Sequence, residues 1–595
     1  MNRFPAAVCG LMLLFAPLTV VEAQNPAQNP AQNAPNGASP GVLFMQAGGD
    51  RLMEDLQYML GLTSPQERQQ WQHVKDWVEE MFLPGIDSVH PVGMDVILSN
   101  QATRYRPQFP IKNLQDFRKN LDAFGIPSRK KTASLYQLER NFPGYMRYRH
   151  GYAIIGEKET DVPLTLPNPM AELVPLVQAG FDMALRLRND PQGLDARRAD
   201  FQRIRNDLLA TVKQNADETR EDFDVRRTAA EQQMNELERF YVESRHVLLG
   251  WVTDSQQNEG RLDITLEPIA GTPLAQSVAL LGQQPSYFAN APQAENSILS
   301  LRVNHPLDAL RQQHALQFLP VAKAAMHRRI DEDADRNDDE KKAGKEALDK
   351  ALDIIDATVK QGMGDLVVEV ATRQTGKHAM VIGVRVADGN KVHEIVQMLP
   401  QAKKTRQVQM DVARVGQTRI HKVDMRFPQA NVRQDFYGQD LGLYVGGDAD
   451  AVWFAVGEGA LSDLTAAIGA VAQPNVGKND DPFVDLMVKL HPWLELRNQL
   501  DPLQPKAPGV AQPRPRPAPA PAGEEGSVVE DFTRQLDRAE LRRMALEAFA
   551  AGHDVFRLRL SRKDKEVVGG MTVERGVLRM VGKGMAKFSE ENLAP

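Results

Sequence analysis

An acidic run at residues 331–340, with the sequence DEDADRNDDE, has the side-chain types and spacing closest to a known metal-binding chemistry. Asp333, Asp335 and Asn337 occupy alternate positions, like the first three side-chain ligands of an EF-hand calcium loop. The positions that require a sharp-turn glycine and a bidentate glutamate hold an aspartate and a glycine instead. We therefore interpret the run as a solvated helix turn or connection, and weak calcium binding by these three residues is the alternative hypothesis.

A second motif, GASPG at residues 37–41, matches the G-x-S-x-G nucleophile elbow of hydrolases. The elbow needs a strand before the serine and a helix after it. Here Ser39 follows a polar, repetitive stretch and is itself followed by proline, so we interpret the match as chance.

The twelve histidines are spread along the chain without H-x-H or H-E-x-x-H spacing. The sequence also lacks a glycine-rich phosphate loop followed by Lys and Ser or Thr. We interpret each histidine as structural and, apart from the calcium hypothesis, predict no cofactor. A pair of carboxylates that converges only in the fold stays open, because active-site residues need not be neighbours in sequence.

The elements that must position such residues belong to a chain of 595 residues, enough for about four units of about 150 residues. The formal net charge is −7 and charged residues make up 25% of the chain, values of a folded globular protein. A mildly acidic chain lacks the strongly basic face of a nucleic-acid-binding protein. We therefore predict no nucleic-acid partner.

The first 23 residues have the features of a secretory signal peptide. Arg3 provides the positive charge, residues 8–21 form the apolar segment, and Val21-Glu22-Ala23 provides small residues before the expected cleavage site. No later stretch approaches 18 unbroken apolar residues, so we expect no transmembrane segment after cleavage. The mature protein is expected outside the cytoplasm, either periplasmic or secreted.

Cys9, the one cysteine of the chain, lies inside this predicted signal peptide. The mature protein would then have no disulfide bond, no thiol nucleophile and no cysteine-ligated zinc. A chain of this length does not need disulfides, because its core is large enough to hold the fold.

Two segments lack the apolar residues that a packed core requires. Residues 24–40 contain a short polar repeat, and we interpret them as a disordered tether. Residues 501–526 include PRPRPAPAP at 513–521, which favours extended polyproline II. We interpret this segment as a spacer, with a ligand for an SH3-type domain as the alternative.

Between these segments the hydrophobic periodicity alternates between helix and strand. Ser64-Pro65-Gln66-Glu67 is a capping box that opens a helix. Residues 145–155 have a hairpin pattern around Gly151. The stretches at 194–245 and 306–360 are long and amphipathic, and we predict that they pack on each other as an antiparallel pair rather than leave an open groove.

One order of elements occurs twice: a strand, a long helical stretch, two strands and a helix. It begins at residues 181–187 and again at 298–303, which predicts an internal duplication. Near the C-terminus a helix is followed by strands predicted at 555–560, 567–573 and 577–580.

These patterns predict the α+β class, with duplicated antiparallel β-meander modules and long amphipathic helices packed on the sheets. The predicted organisation is a signal peptide at 1–23, a tether at 24–40, a first α+β repeat at 41–285, a second at 286–500, a Pro-rich linker at 501–526, and a C-terminal helix and β-meander at 527–595.

Several segments form a recognisable set: FDMALRL at 181–187, the helix from Glu221-Asp222-Phe223 to Gln233-Met234, Leu249-Gly250-Trp251, and Asp263-Ile264-Thr265 before Gly271-Thr272-Pro273-Leu274-Ala275. Together they resemble a family of uncharacterised large exported proteins from planctomycete-type bacteria. The resemblance covers most of residues 40–480 and the closing meander. The family has no established activity, so the resemblance implies an exported location and an architecture, and no site residues.

The export signal, the duplication, the long helices and the lack of a catalytic motif favour a non-enzymatic binding or scaffold protein of the cell envelope or extracellular space, with a protein partner there. Two alternatives stay open: an extracytoplasmic hydrolase whose carboxylates converge in the fold, and a carrier of an apolar ligand. A pocket with clustered carboxylates and perturbed titration would favour the enzyme, and one large apolar groove would favour binding. The ligand and the oligomeric state stay open.

Overall fold

The computed structural model describes residues 41–81, 84–98, 103–403, 407–424, 430–473, 481–500 and 538–592. The predicted signal peptide, tether and linker lie outside the described residues, as does the serine of the 37–41 motif. In the part of the chain that is described, no helix is both long and apolar enough to cross a lipid bilayer.

The described strands belong to one antiparallel sheet of 20 strands. They are β1 Gly41–Gln46, β2 Val92–Leu98, β3 Thr103–Pro110, β4 Ser128–Lys130, β5 Leu135–Leu138, β6 Gly144–Arg149, β7 Tyr152–Gly156, β8 Met183–Arg188, β9 Ser244–Asp254, β10 Glu259–Pro268, β11 Ser297–Asn304, β12 Asp365–Thr372, β13 His378–Arg385, β14 Val408–Val415, β15 Thr418–Val423, β16 Leu443–Gly447, β17 Ala451–Gly457, β18 Val484–Lys489, β19 Val555–Lys563 and β20 Glu566–Glu574.

The two halves of this sheet have the same arrangement of strands when each half is counted inward from its own edge. From one edge the strands are β4, β5, β6, β7, β3, β2, β1, β8, β9 and β10. From the other edge they are β14, β15, β16, β17, β13, β12, β11, β18, β19 and β20. The two series meet where β10 pairs antiparallel with β20. Each strand of the first series therefore has a counterpart in the same place in the second.

The helices connect these strands, and several begin at a capping residue. Ser64 forms the predicted capping box with Glu67, and Asn113, Thr272 and Asn337 cap three further helices. The described helices are α1 Gly49–Gly61, α2 Pro65–Arg68, α3 Trp71–Met81, α4 Leu114–Ala123, α5 Pro169–Gln178, α6 Leu194–Thr211, α7 Arg220–Glu243, α8 Pro273–Leu280, α9 Ala309–Glu332, α10 Asp338–Lys360, α11 Val392–Ala402, α12 Ala430–Tyr437, α13 Ala460–Val471, α14 Leu490–Leu500, α15 Arg538–Ala550 and α16 Arg575–Asn592.

The best-buried cores lie toward the two edges of the sheet, where helices cover both faces. In the first series α4 packs on one face through Phe117, and α5 packs on the other through Leu173. In the second series α11 and α13 cover the two faces through Val396 and Leu464. The central strands lack this double cover.

The long helical stretches form two hairpins, α6 with α7 and α9 with α10, and α7 lies antiparallel along α9. Arg239 of α7 pairs with Asp308 before α9 at 3.2 Å, and Glu236 pairs with Arg311 at 2.7 Å. At the far end Asp222 pairs with Arg329 at 2.9 Å. The predicted antiparallel packing of these stretches is therefore present.

The α+β class with antiparallel strands is confirmed, but the third C-terminal strand, predicted at 577–580, is wrong. These residues belong to α16, where Val577, Leu578, Val581 and Met585 follow helical spacing and pack near α1. Packing of this apolar stripe on a neighbouring helix decides the conformation, because a short segment with three apolar residues is ambiguous between helix and strand.

Candidate functional site

The central strands separate apolar and charged side chains onto opposite faces of the sheet. On one side the register aligns a row of apolar residues across neighbouring strands: Met183, Trp251, Leu262, Met571, Leu558, Leu486, Leu301, Val368 and Ile382. Flanking rows on the same side include Phe44, Leu185, Leu249, Ile264 and Leu560. We call this side the apolar face.

The opposite side of the same strands is the charged face. Because side chains alternate along a strand, Asp263 and Thr265 of β10 point away from Leu262 and Ile264. The charged residues of this face in the central strands include Arg186, Arg261, Asp263, Glu267, Arg302, Glu369, Asp485, Arg557 and Arg559. Parts of the charged face are covered, because Ala184 and Leu248 pack in the same core cluster as Leu173, and Val367 packs in that of Phe288. An apolar face of an antiparallel sheet is likewise expected to be covered.

The residues of the apolar face are nevertheless only half-buried between the ends of the strands. At one end α1 and α16 cover the face, where Leu56 and Leu578 pack against Trp251 and Val573. At the other end Val247 is buried at 3% exposure. Between these covered ends the face extends from β2 to β13 over about 50 Å at the usual strand spacing. This is an apolar surface of a size that ordinarily marks a binding site.

A small cavity lies at the covered end, between α1 and the strands β1, β8 and β9. Its lining residues are Gln46, Leu52, Asp55, Leu56, Met59, Asp182, Met183, Trp251 and Thr253. The volume is about 20 Å³, room for about one water molecule. The cavity therefore brings two carboxyl groups together beside the apolar face.

Both carboxylate oxygens of Asp182 accept hydrogen bonds. The Arg51 Nε donates to Oδ1 at 2.7 Å, and the backbone N–H of Thr253 donates to Oδ2 at 2.5 Å. Charge-assisted bonds of this kind fix both oxygens of a carboxylate. Asp182 is thus an anchor between α1 and β9.

Asp55 has the opposite environment. It is 8% exposed, and the nearest Arg51 nitrogen lies 3.9 Å from its Oδ1. Burial, and secondarily the charge of Asp182, raise the pKa of Asp55 to about 8. Asp55 is therefore protonated at neutral pH.

Two neighbouring carboxyl groups, one of them with a raised pKa, are the components of general acid–base catalysis. This cavity has room for about one water and none for a substrate beside it. The arrangement therefore acts as a structural contact between α1 and the sheet, at the boundary of the apolar face.

The three residues of the calcium hypothesis lie in the turn between α9 and α10. The Asn337 Oδ1 accepts the N–H of Glu340 at 3.0 Å as the cap of α10. Asp333 pairs with Arg336 at 2.9 Å and accepts the N–H of Asp335 at 3.1 Å. These contacts are those of a capped helix connection. In the described residues, no three metal-ligating side chains converge, and calcium binding stays an untested prediction.

Two histidines that the sequence left unassigned lie together inside the second half of the sheet. His393 Nδ1 and His421 Nε2 are 2.8 Å apart, and His421 Nδ1 accepts the N–H of Asp411 at 2.9 Å. The proton of His421 is therefore on Nε2, from which it donates to His393. Burial lowers the pKa of both rings, which keeps the pair neutral.

Two features of this site were not predicted from the sequence: the contact between Asp182 and Arg51, and the continuity of the apolar face across the strands. Asp182 and Arg51 are 131 residues apart, so no local motif joins them. The alternation in Leu262-Asp263-Ile264-Thr265-Leu266 was readable as a two-faced strand, but the sequence does not tell which strands extend that face.

Comparison of this chain with models of protein families, with curated proteins and with solved structures finds no match.

Proposed function

We propose that this protein is an exported, non-enzymatic binding protein that carries an apolar ligand, the acyl chains of a lipid, on the apolar face. The observation that supports the proposal is the separation of charge between the two faces of the central strands. The rows of the apolar face named above contain no ionisable side chain in the described strands. Arg562, next to the end of β19, lies on the same side and donates to the carbonyl oxygens of Ala279 and Leu281. The predicted signal peptide agrees with a function in the envelope or outside the cell.

A hydrocarbon ligand suits this face better than a protein partner. The central strands pair with neighbours on both sides, so their backbone groups are not available to an added strand. A protein interface ordinarily includes about one hydrogen bond per 100–200 Å². The face offers few groups for such bonds, whereas acyl chains need none.

The dimensions also agree with acyl chains. One leaflet of a bilayer holds chains about 15 Å long, half of a hydrocarbon core of about 30 Å. The face is about 50 Å wide across the strands, so several chains fit side by side. The helices α1 and α16 close one end of the strands and would bound the chains there.

We also infer that the two halves of the chain arose by duplication. The matching strand orders support an origin in which residues 41–280 correspond to residues 297–592, related by a pseudo-twofold axis between β10 and β20. On this division β11 corresponds to β1, and β8 corresponds to β18, so the strands at 181–187 and 298–303 are not each other's counterparts, contrary to the prediction from the sequence pattern. The C-terminal α15, β19, β20 and α16 then complete the second repeat rather than form a separate module. The predicted boundaries at 285 and 500 stay a prediction.

The binding proposal is tested with two neighbouring residues of β10. Ile264→Asp places a charge on the apolar face, and Thr265→Asp places the same charge on the charged face. We expect the wild type to enhance the fluorescence of N-phenyl-1-naphthylamine and palmitate to displace this probe. Ile264→Asp should weaken probe binding about tenfold or more, and Thr265→Asp should leave it unchanged.

Leu558→Gln, on the same face, provides a milder substitution if Ile264→Asp does not fold. Equal binding of the probe by both aspartate variants would refute the proposal that the ligand binds to the apolar face. Probe binding that palmitate cannot displace would refute the acyl ligand and leave a protein partner as the occupant.

A further inference from the structure

A polar cleft lies on the charged face, where β18 ends and β19 begins. Its volume is about 440 Å³, within the range of small-molecule sites. The lining residues are Gln293, Ala294, Glu295, Ser297, Met487, Lys489, Val555 and Arg557. This cleft is on the opposite side of the sheet from the proposed acyl site and is argued independently of it.

Two cations line the cleft as close neighbours. Lys489 lies opposite Val555, and Arg557 lies opposite Met487, so the two are diagonal neighbours on adjacent strands. Their α-carbons are therefore about 7–8 Å apart on one face. Neither cation forms an ion pair with a carboxylate of the described residues, whereas Arg559 on the same face pairs with Asp485 at 3.2 Å. An anion between Lys489 and Arg557 would relieve their repulsion.

A buried hydroxyl group adds a second, independent indication of a ligand. Ser297 is 1% exposed, and its Oγ has no hydrogen-bond partner among the described residues. Leaving a buried polar atom unpaired costs free energy, which a ligand acceptor would recover. The segment around Ala294, which also lines the cleft, is held in place because Glu369 Oε1 accepts the N–H of Ala294 at 3.2 Å.

The charge of the lining limits the kind of anion. Lys489 and Arg557 contribute two positive charges and Glu295 contributes one negative charge, so the cleft balances a monoanion. We propose that it binds a small carboxylate that also carries a hydrogen-bond donor, such as a hydroxy acid or an amino acid. Arg557 and Lys489 bind the carboxylate, Ser297 donates to it, and Glu295 accepts from the donor group.

The experiment measures binding of lactate, alanine and inorganic phosphate to the full chain in a low-chloride buffer, by calorimetry and by ligand-induced shifts in Tm. We expect both acids to bind. Arg557→Gln and Lys489→Met should each weaken them about tenfold or more. Arg559→Gln is the matched control, because that arginine lies on the same strand and face and already has a carboxylate partner, and it should have no effect.

Glu295→Gln should weaken the binding of alanine more than that of lactate. Alanine presents an ammonium group, which loses a charged acceptor in this variant, whereas lactate presents a neutral hydroxyl group. Should an arginine or lysine variant fail to fold, Ser297→Ala tests the same site and should weaken both acids without lowering Tm. Three results would overturn the proposal. Phosphate could bind more tightly than both acids, or Arg559→Gln could weaken acid binding as much as Arg557→Gln does. The third is that neither acid binds at millimolar concentration.

Discussion

Replacing Asp55 by asparagine should stabilise the protein at neutral pH and remove a specific pH dependence. The unfolded chain ionises Asp55 near pH 3.8, whereas burial beside Asp182 raises the pKa of the folded group to about 8. Between these two pH values the folded state holds a proton that the unfolded state has released. Stability therefore falls as the pH rises from about 4 to about 8, and the loss levels off above that range.

The magnitude follows from the two pKa values. Each pH unit in this window costs about 1.4 kcal/mol, so at pH 7 the wild type has lost about 4 kcal/mol. Asparagine has a similar shape and carries no charge at any pH, so the variant avoids this cost. Asp55 is 8% exposed, so solvent screens little of the effect.

Thermal unfolding at pH 5, 7 and 8.5 provides the assay. We expect the difference in free energy of unfolding between variant and wild type to grow with pH, and hydrogen exchange of α1 to slow in the variant. Glu54→Gln is the control, because the neighbouring Glu54 side chain is 71% exposed. A variant that is less stable than the wild type at pH 7, or that keeps the wild-type slope with pH, would refute the assignment of a protonated Asp55.

Three further outcomes follow from the structure. Burial lowers the pKa of His393 and His421, so below pH 6.5 the unfolded chain takes up protons more readily than the folded pair. Melting curves should therefore show stability falling as the pH drops through that range, and falling less in His421→Asn. Asp308→Ala leaves the buried Arg239 without its main partner and should cost about 3–5 kcal/mol in urea unfolding. Gly250→Ala places a β-carbon 2.3 Å from the ring of Phe181 and should cost about 1–3 kcal/mol in the same assay.

Two of these outcomes have a matched control variant. His90 is 46% exposed, so His90→Gln should keep the wild-type acid sensitivity. Gly61→Ala meets no atom within 4 Å and should not destabilise the protein. A loss below about 1 kcal/mol for Asp308→Ala would contradict a buried ion pair, because removal of one partner leaves an uncompensated charge.

The fold was predictable where local patterns are strong. The hairpin predicted at 145–155 is present as the antiparallel pair β6 and β7, because Gly151 readily adopts the positive φ of 78° at its turn. The capping box at Ser64 was also readable, because its hydrogen bonds join residues three apart. Helix α1 was not predicted, and with it the burial of Asp55 was missed.

The candidate site depends on long-range register, which the sequence does not contain. Leu262 and Leu301 lie in one apolar row, although they belong to different halves of the chain. Lys489 and Arg557 become diagonal neighbours in the same way, through pairing of β18 with β19. Only the order of strands makes these residues adjacent, and that order results from competition among many similar pairings.

The most direct test of the central claim is native mass spectrometry of the protein purified without detergent. We expect masses above that of the bare chain, with acyl lipids released on denaturation. These added masses should persist in Thr265→Asp and be absent from Ile264→Asp, which differ only in the face of β10 that carries the charge. A wild-type spectrum with the bare mass alone, or the same lipids on both variants, would contradict the proposal that the apolar face binds acyl chains.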